Sequence, residues 1–457
     1  DHPRMILPGK RRGKDDPSGK FYLIMGHMSD SPTLSFSDIR RQFPILDKQI
    51  HGKPLVYFDN SATTQKPNSV LEAITEYYTK YNANIHRGVH QLAEESTDIW
   101  EKSRQTVASF FRAHPEELIV TRNTTEALNL LARGWGESQV KPGEVILVGL
   151  SEHHSNFVPW QKLADRQQAK FMTLPIASEG LLDLPAIFAL LKEHKNQLRV
   201  ISIQQASNTL GSLMDISAVS QMLKDLKIRD QVLLSVDAAQ SAAHQPINFK
   251  TWDVDAVSFS GHKMYGPMGI GGLLVKSKRL AEFEPVLYGG GMISTVLPEE
   301  TTYAEDVQDR FTAGTPDVAS LYGLAAACDF LKEIGWPAIL AHEEELTQYA
   351  LDQLKKLPEI TIVGPQNMRD EAGKQQRIGA ISFLYQQVHA HDVAQILDRH
   401  GVAVRSGQHC TMPLHVSQGW LATTRASFGV YNTKSEVDTL ISALKDVKRV
   451  FGRQVKN

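Results

Sequence analysis

The sequence predicts an α/β fold in which a largely parallel sheet is covered by helices, followed by a smaller α+β domain. Between about residues 70 and 290, short apolar runs rich in β-branched residues alternate with amphipathic runs of helix length. After about residue 330 this alternation stops, and long amphipathic runs flank separated apolar segments. Alternating strands and helices are typical of parallel sheets, and the change of pattern indicates a second domain.

Five runs in the first part are predicted to be strands of the parallel sheet. They are EELIVT (116–121), EVILVGL (144–150), RVISIQQ (199–205), QVLLSVD (231–237) and DAVSFS (255–260). Their apolar, β-branched character, with helix-length segments between most of them, indicates strands covered by helices on both faces.

The last part of the chain is predicted to form the smaller domain. Its predicted helices are AILAHEEELTQYALDQLKKL (338–357) and SEVDTLISALKDVKRVF (435–451), and its predicted strands are TIVG (361–364), GAISFLY (379–385) and VAVRS (402–406). We therefore predict a large domain over residues 45–330 and a small domain over residues 331–457, with the boundary at a helix over 318–333.

The first 27 residues are basic, rich in Gly and Pro, and without hydrophobic periodicity. The GHM at 26–28 resembles a cloning junction, so we expect residues 1–27 to be a tag or a disordered leader. A transit peptide is the alternative, and the acidic Asp15 and Asp16 argue against it. Residues 28–44 are expected to pack with the small domain.

Composition favours small-molecule chemistry in a soluble protein. The chain has 457 residues, with 49 basic against 51 acidic side chains, so nucleic acid and anionic membranes are not expected as main partners. Its two cysteines, Cys328 and Cys410, form no Cys-x-x-Cys pair, which argues against a zinc module and suits a reducing cytoplasm. No apolar run approaches the roughly 18 residues of a membrane span.

The stretch SFSGHKMYGP (258–267) places a lysine at the end of a predicted buried strand. Lys263 lies there between Gly261 and Gly266. The carboxyl ends of strands are where α/β proteins build their sites. A lysine at such a place either pairs with an anion or does covalent chemistry, whereas a lysine considered alone is more often a surface residue.

Polar residues also follow two other predicted strands. Thr124 and Thr125 come after EELIVT, at the start of a helix, where hydroxyl and backbone N–H groups bind anions; a plain N-cap is the alternative. His153 and His154 come after EVILVGL. No other His or Cys cluster lies at ligand spacing, so a metal site is not expected, and an imidazole here is suited to stacking on an aromatic cofactor.

An acidic residue completes this set. Asp237 ends QVLLSVD, with Gln240 close behind, and a carboxylate at a strand end needs a positive partner. Pyridoxal phosphate (PLP) needs a lysine for its aldehyde, an acid for its pyridinium nitrogen and an anion cradle for its phosphate. Lys263, Asp237 and the two threonines together match that cofactor.

Ten motifs between Phe36 and Phe451 carry a resemblance to a known family. In order they are DNSATTQKP, NIHRGVH, TRNTTEALN, SEHHSNFVPW, SNTLG, SVDAAQ, FSGHKMYGPMGIGGL, RFTAGTP, RSGQHC and TRASFGVYNT. They closely resemble those of the group II cysteine desulfurases of the SufS and CsdA type, which are class V, fold type I enzymes dependent on PLP. The resemblance implies a mainly parallel seven-stranded sheet in the large domain and a homodimer.

The resemblance also implies roles for individual residues. Those implied to contact the cofactor are Thr124, Thr125, His153, Asp237, Gln240, Ser260, His262, Lys263 and, from the second subunit, Thr315. Among them, Lys263 forms the Schiff base, Asp237 pairs with the pyridine nitrogen, and Gln240 contacts the phenolic oxygen. His153 stacks on the ring, and we hypothesise that it also protonates intermediates. Those implied to bind the substrate are Ala62, His86, Arg87, Asn208, Arg405 and Arg425.

Cys410 decides the expected reaction. Its surroundings, RSGQHCTMP, are polar, and Arg405 or a protonated His409 nearby favours the nucleophilic thiolate. A structural thiol is the alternative, and Cys328, inside the apolar run LAAACDFL, is of that kind. The resemblance implies that Cys410 takes sulfur from L-cysteine as a persulfide, leaves alanine, and passes the sulfur to an acceptor of the SufE, CsdE or SufU kind for iron–sulfur cluster assembly.

Two departures from the family pattern stand out. Asn123 replaces a frequent glycine, and because asparagine tolerates a left-handed backbone we expect the anion cradle to survive. Thr411 replaces a common alanine directly after Cys410, a change that bears on persulfide exposure. The alternatives are a selenocysteine lyase, with L-selenocysteine as substrate, another class V enzyme, or a catalytically silent sulfur-transfer scaffold.

Overall fold

The computed structural model describes residues 35–451 apart from residues 87 and 178. The strands, in chain order, are β1 (Gln49–Ile50), β2 (Lys53–Pro54), β3 (Val56–Tyr57), β4 (Leu118–Thr121), β5 (Val145–Gly149), β6 (Lys170–Leu174), β7 (Leu198–Gln204), β8 (Leu233–Asp237), β9 (Ala256–Ser260), β10 (Gly271–Val275), β11 (Ile293–Val296), β12 (Thr301–Tyr303), β13 (Ile360–Val363), β14 (Ala380–Tyr385), β15 (Val402–Ala403), β16 (Arg405–Gly407) and β17 (Thr423–Ser427).

The helices are α1 (Phe36–Arg41), α2 (Asn68–Glu76), α3 (Gln91–Phe110), α4 (Thr124–Leu130), α5 (Glu137–Gln139), α6 (His154–Gln167), α7 (Leu184–His194), α8 (Ile216–Asp225), α9 (Ser277–Leu280), α10 (Val307–Phe311), α11 (Val318–Ile334), α12 (Trp336–Leu354), α13 (Ala390–Arg399), α14 (Met412–Gln418) and α15 (Lys434–Phe451). In the described residues, none of them is long and apolar enough to cross a membrane.

Seven strands of the described chain form the central sheet, in the order β4–β10–β9–β8–β7–β5–β6. Only β10 runs against its neighbours, β4 and β9, so the sheet is mainly parallel, and the predicted α/β architecture is confirmed. Every residue of β5, β8 and β9 is buried, which explains their mostly apolar sequences. The sequence prediction missed β6 and β10, because β6 is a partly exposed edge strand and β10 opens with two glycines.

A second sheet of the described residues, β13–β14–β17–β16, is antiparallel. The single strand predicted over residues 402–406 is wrong. The chain there forms two strands, of which β15 pairs in parallel with β3 while β16 pairs with β17. The prediction missed β17 because its buried residues, TTRAS, are mostly polar.

The N-terminal helix α1 contacts elements from the end of the chain. Arg40 forms a 3.0 Å ion pair with Glu436 of α15, and Phe36 stacks on His342 of α12 with 3.9 Å between ring centroids. Helix α11 packs against α2 and α3, and α12 packs against α15. The division into domains at residues 330 and 331 stays a prediction, and the expectations for residues 1–34 lie outside the described residues.

One buried ion cluster makes a measurable contribution to stability. Asp255, 1% exposed, receives Arg229 Nη1 at 2.8 Å and Arg279 Nε at 3.2 Å. Replacing Asp255 with alanine removes the buried carboxylate between two guanidinium groups, which keep only the longer ion pairs of Arg229 with Asp253 at 3.3 Å and of Arg279 with Glu282 at 3.5 Å. We therefore expect the free energy of unfolding to fall by about 3 kcal/mol in urea denaturation. Asp230→Ala is the control, because the Asp230 pair with Lys278 is exposed and its loss should change little. Equal effects of the two substitutions would contradict this assignment.

Candidate active site

The carboxyl ends of the parallel strands border a cavity of about 240 Å³. Thirteen of the residues proposed from the sequence line it: Ala62, Thr124, Thr125, His153, Asn208, Asp237, Gln240, Ser260, His262, Lys263, Arg405, Cys410 and Arg425. Parallel strands end at one edge of their sheet, so residues far apart in sequence meet there. Arg405 lies in β16, Arg425 lies in β17, and Cys410 lies between these two strands.

Lys263 lies in a single 3₁₀ turn (Gly261–Lys263) directly after β9. The glycines around it allow close packing: a Cβ on Gly261 would lie 2.9 Å from Ile270 Cγ2, and one on Gly266 would lie 3.0 Å from Leu324 Cδ1. Burial lowers the pKa of Lys263 to about 8, although the nearby Asp237 raises it. At pH 7 about a tenth of this lysine is therefore a neutral, nucleophilic amine, against less than about 0.1% of an ordinary lysine.

The lowered pKa of Lys263 predicts a distinct pH dependence for its alkylation. A pKa of about 8 makes half of the amine neutral at pH 8, against less than about 1% for an ordinary lysine. We therefore expect reductive methylation of Lys263 in PLP-free protein, followed by peptide mass spectrometry, to rise with pH around a midpoint near 8. In the urea-unfolded chain the midpoint should move up toward the ordinary lysine value. A midpoint above 10 in the folded protein would contradict the assignment.

Asp237 is the last residue of β8 and is 4% exposed. Its Oδ1 accepts the backbone N–H of Ala239 at 2.8 Å, and burial raises the pKa of the carboxyl, while Lys263 opposes that shift. A buried carboxylate of this kind is stabilised by a cationic ligand. Gln240 donates from Nε2 to the carbonyl of Ser61 at 2.8 Å, which fixes the amide against the loop after β3.

Hydroxyl groups gather where β4 and β9 end. Ser260 Oγ lies 2.8 Å from both the backbone N and the Oγ1 of Thr124, and Thr125 Oγ1 lies 2.7 Å from Ser155 Oγ. His153 Nδ1 accepts the backbone N–H of Ser155 at 3.1 Å. This cluster of neutral donors is suited to an anionic group.

Both imidazoles at this end of the sheet are neutral. Burial, with the Lys263 charge nearby, lowers the pKa of His153 to about 3 and that of His262 to about 4. Neutral His153 is suited to stacking on a flat ring, and it holds no extra proton to give. The hypothesis that His153 protonates intermediates therefore requires that a bound anion raise its pKa again.

The opposite wall of the cavity is cationic. Arg405 and Arg425 lie directly opposite each other across the β16–β17 pair, an arrangement that like charges disfavour unless an anion lies between them. Arg425 is buried, which lowers its pKa to about 10 and leaves it charged at neutral pH. It donates to the carbonyl of Asn208 at 3.0 Å and to Asp59 Oδ1 at 3.1 Å.

Cys410 lies in a tightly held loop between β16 and α14. His409 and Cys410 both have left-handed backbones, with φ of 49° and 59°, at a cost of about 1–3 kcal/mol each. The backbone N–H of His154 donates to the Cys410 carbonyl at 2.8 Å, and Asn208 Nδ2 donates to the His409 carbonyl at 2.7 Å. The half-buried Cys410 lines the cavity and interacts electrostatically with Lys263 and Arg425, whereas Cys328 is buried.

Two of the proposed site residues that the structure describes are not brought to this cavity. His86 lies outside its lining, and its backbone N–H donates to Thr97 Oγ1 at 3.0 Å. Thr315 also lies outside it, in a neighbouring groove of about 1090 Å³ that shares Asn123 and Thr125 with the cavity. Arg87 lies outside the described residues.

Residues 56–440 match the family model for class-V aminotransferases. The chain belongs to the aminotransferase class-V family. Within this family, the chain is 44% identical to a probable cysteine desulfurase of Streptomyces coelicolor over 91% of this chain and 97% of the relative.

Two solved structures of cysteine desulfurases are also similar. The apo enzyme from Thermococcus onnurineus NA1 is 38% identical, with a TM-score of 0.82 over 90% of this chain and 97% of that one. CsdA from Escherichia coli is 32% identical, with a TM-score of 0.80 over 91% and 99%. The resemblance drawn from the motifs is thereby confirmed.

Two details expected for this class-V family member are wrong. Burial lowers the pKa of His409 to about 2, so this histidine is neutral and provides no charge to a Cys410 thiolate. Asn123 is extended, with φ of −176°, so no left-handed backbone is needed there. Its side-chain oxygen instead accepts the N–H of Glu126 at 2.9 Å and caps α4.

Sequence reasoning also missed cavity residues of this class-V site. Ser61, Ser155 and Gln204 line the cavity, and Asp59 pairs with Arg425. Gln204 ends β7, so the strand-end argument that selected Asp237 also applies to it. Asp59 carried a signal too, because it lies within the DNSATTQKP motif.

Proposed function

We propose that this chain is a PLP-dependent cysteine desulfurase that converts L-cysteine to L-alanine and carries the sulfur as a persulfide on Cys410. The observation that carries the proposal is that Cys410 lines one cavity together with Lys263, Asp237 and Arg425. Lys263 and Asp237 serve many class-V reactions, whereas a thiol in the same cavity is specific to sulfur transfer. The named relatives support the same activity.

The residues present fit PLP. Lys263 would hold its aldehyde, Asp237 its ring nitrogen and Gln240 its phenolic oxygen, while His153 would lie against the ring. The phosphate would contact the cluster around Thr124, Thr125, Ser260 and His262. Two polar atoms beside the cavity are suited to bonding a ligand, because within the described residues Asn208 Oδ1 and Arg425 Nε are buried without a hydrogen-bond partner.

Bound PLP supplies an electron sink for carbanion chemistry at the substrate Cα. Buried Asp237 favours a protonated partner in front of it, and the low pKa of Lys263 makes its amine a base able to take the Cα proton near neutral pH. Lys263 and Asp237 therefore provide the base and the counter-charge.

Cys410 takes the sulfur. Its thiolate Sγ forms a bond with the substrate sulfur while the Cβ–S bond breaks and its electron pair stays with carbon. A proton then replaces sulfur on Cβ, and alanine leaves. Arg425 and Lys263 place positive charge near this sulfur, which neutral His409 does not.

The test is to mix purified holoenzyme with L-cysteine and measure alanine and protein-bound persulfide. We expect both products, and equal amounts from a Cys328→Ala variant, because Cys328 is buried in α11. Absence of alanine with PLP bound would overturn the proposal in favour of a silent scaffold. A parallel assay with L-selenocysteine tests the lyase alternative, which predicts turnover of selenocysteine without turnover of cysteine.

Arg425 is proposed to bind the substrate carboxylate, with Asn208 and Arg405 beside it. Because a lysine cannot reproduce the guanidinium fork, we expect Arg425→Lys to raise the KM for L-cysteine about 10- to 100-fold with a smaller change in kcat. Steady-state kinetics measure the split. An unchanged KM would remove Arg425 from the substrate site. Arg405→Lys serves as the comparison, and the smaller effect is expected there because Arg405 is exposed.

We also propose a homodimer and a small sulfur-acceptor protein of the SufE, CsdE or SufU kind, serving iron–sulfur cluster assembly in the cytoplasm. The groove next to the cavity supports the dimer, because Thr315 lies in it. In the family pattern, this threonine contacts the PLP phosphate that is bound in the other subunit. Exposed Met412, Val416 and Leu421, which follow Cys410 closely, support a protein partner at the thiol.

A further inference from the structure

A buried network of polar side chains lies next to the Cys410 loop. Thr411 is 0% exposed, and its Oγ1 lies 2.9 Å from Thr209 Oγ1 and 2.9 Å from the Gln408 carbonyl. His415, also 0% exposed, has its Nδ1 3.1 Å from the Thr411 carbonyl. Its Nε2 lies 3.4 Å from Thr423 Oγ1.

The partners of these groups fix which atom donates and which accepts in each hydrogen bond of the network. A carbonyl only accepts, so His415 Nδ1 carries the proton donated to the Thr411 carbonyl, and its Nε2 accepts from the Thr423 hydroxyl. The Thr411 hydroxyl donates to Gln408, and so it accepts from Thr209. His409 Nε2 then donates to Thr423, at 2.9 Å to Oγ1 and 3.2 Å to the carbonyl.

This network connects both sides of the strained segment. Gln408 precedes the two left-handed residues and Thr411 follows them. The Thr411 hydroxyl and the Thr411 backbone N–H, each 2.9 Å from the Gln408 carbonyl, together close the loop from one end to the other. Thr209 anchors that closure to the segment that also carries Asn208. An alanine or valine at position 411 keeps the backbone bond to the Gln408 carbonyl and removes both bonds of the hydroxyl, the one to Gln408 and the one to Thr209.

We propose that Thr411 is a positioning residue for Cys410, whose hydroxyl, bonded to Gln408 and Thr209, holds the left-handed loop that places the thiol in the cavity. The inference rests on the proposed function for its biological meaning. It concerns thiol geometry alone, so it is testable without any turnover of L-cysteine.

The experiment measures alkylation of Cys410 by iodoacetamide from pH 6 to 10 in the holoenzyme, by mass spectrometry of the Cys410 peptide. For Thr411→Val we expect the rate constant at neutral pH to change about fivefold and the midpoint of its pH profile to shift. Thr411→Ser keeps the hydroxyl and is expected to behave as wild type. Thr209→Val removes one bond and is expected to shift the profile in the same direction.

Cys328 serves as the internal control, since it is buried and should stay unmodified in every variant that remains folded. Identical pH profiles for wild type, Thr411→Val and Thr209→Val would overturn the proposal, and so would equal effects of Thr411→Ser and Thr411→Val. If Thr411→Val does not fold, the Thr209→Val and Thr411→Ser pair decides in the same way. Failure of the desulfurase proposal would appear separately, as no alanine from wild type.

Discussion

Cys410→Ala is expected to lose alanine formation from L-cysteine by on the order of 10³-fold or more, and to lose protein-bound persulfide altogether. The reason is that Cys410 is the thiol that lines the cavity in the described chain, whereas Cys328 is buried in α11. Alanine quantification and persulfide labelling measure the loss, with the visible band of bound PLP as evidence of an intact site.

The matched control is Cys328→Ala, which should keep both products. Cys410→Ser adds a second comparison, because it preserves size and polarity without a nucleophilic sulfur. If Cys410→Ala formed alanine from L-cysteine at the wild-type rate, the sulfur-carrier role would be wrong, and a lyase that relies on Lys263 alone would take its place.

Lys263→Ala is expected to lower alanine formation by on the order of 10⁴-fold, because the substitution removes both the covalent attachment point and the base. Borohydride treatment should fix PLP covalently to wild-type protein and not to the variant, and this readout does not depend on turnover. Cys410 alkylation should persist, showing that the cavity remains folded.

Lys66→Met is an informative control, because Lys66 is a second half-buried lysine next to the same turn. It donates to the His262 carbonyl at 3.0 Å, and burial lowers its pKa to about 7. If the reactive amine is Lys263, borohydride still fixes PLP to Lys66→Met. If borohydride fixed PLP to Lys66 instead of Lys263 in the wild-type protein, the assignment would be wrong.

The sequence allowed prediction of most of the site because parallel strands impose a simple geometry. Asp237 and Ser260 end their strands, and Lys263 follows one, so they share an edge of the sheet whatever the loops between them do. The family motifs added Arg425 and Cys410, which belong to a different sheet and which strand-end reasoning alone does not join to Lys263.

Features that depend on burial and on polar packing were not predictable. His409 resembles a charge partner for Cys410 by its position, yet burial makes it neutral. Four of the five residues of strand β17 are polar and all five are buried, so hydropathy gives no signal for it. The contacts of Thr411 with Thr209 depend on two segments 202 residues apart, which no local pattern reveals.

The pairing of β3 with β15 carries a consequence for biosynthesis. The loop after β3 is joined to the last strand as well, since Asn60 Nδ2 donates to the Ser427 carbonyl across 367 residues of chain. At ribosomal rates, about 20–70 s separate the emergence of these partners. During that time the early segment has neither its strand neighbour nor its buried hydrogen bonds, and the nascent chain exposes unpaired backbone that chaperones are suited to protect.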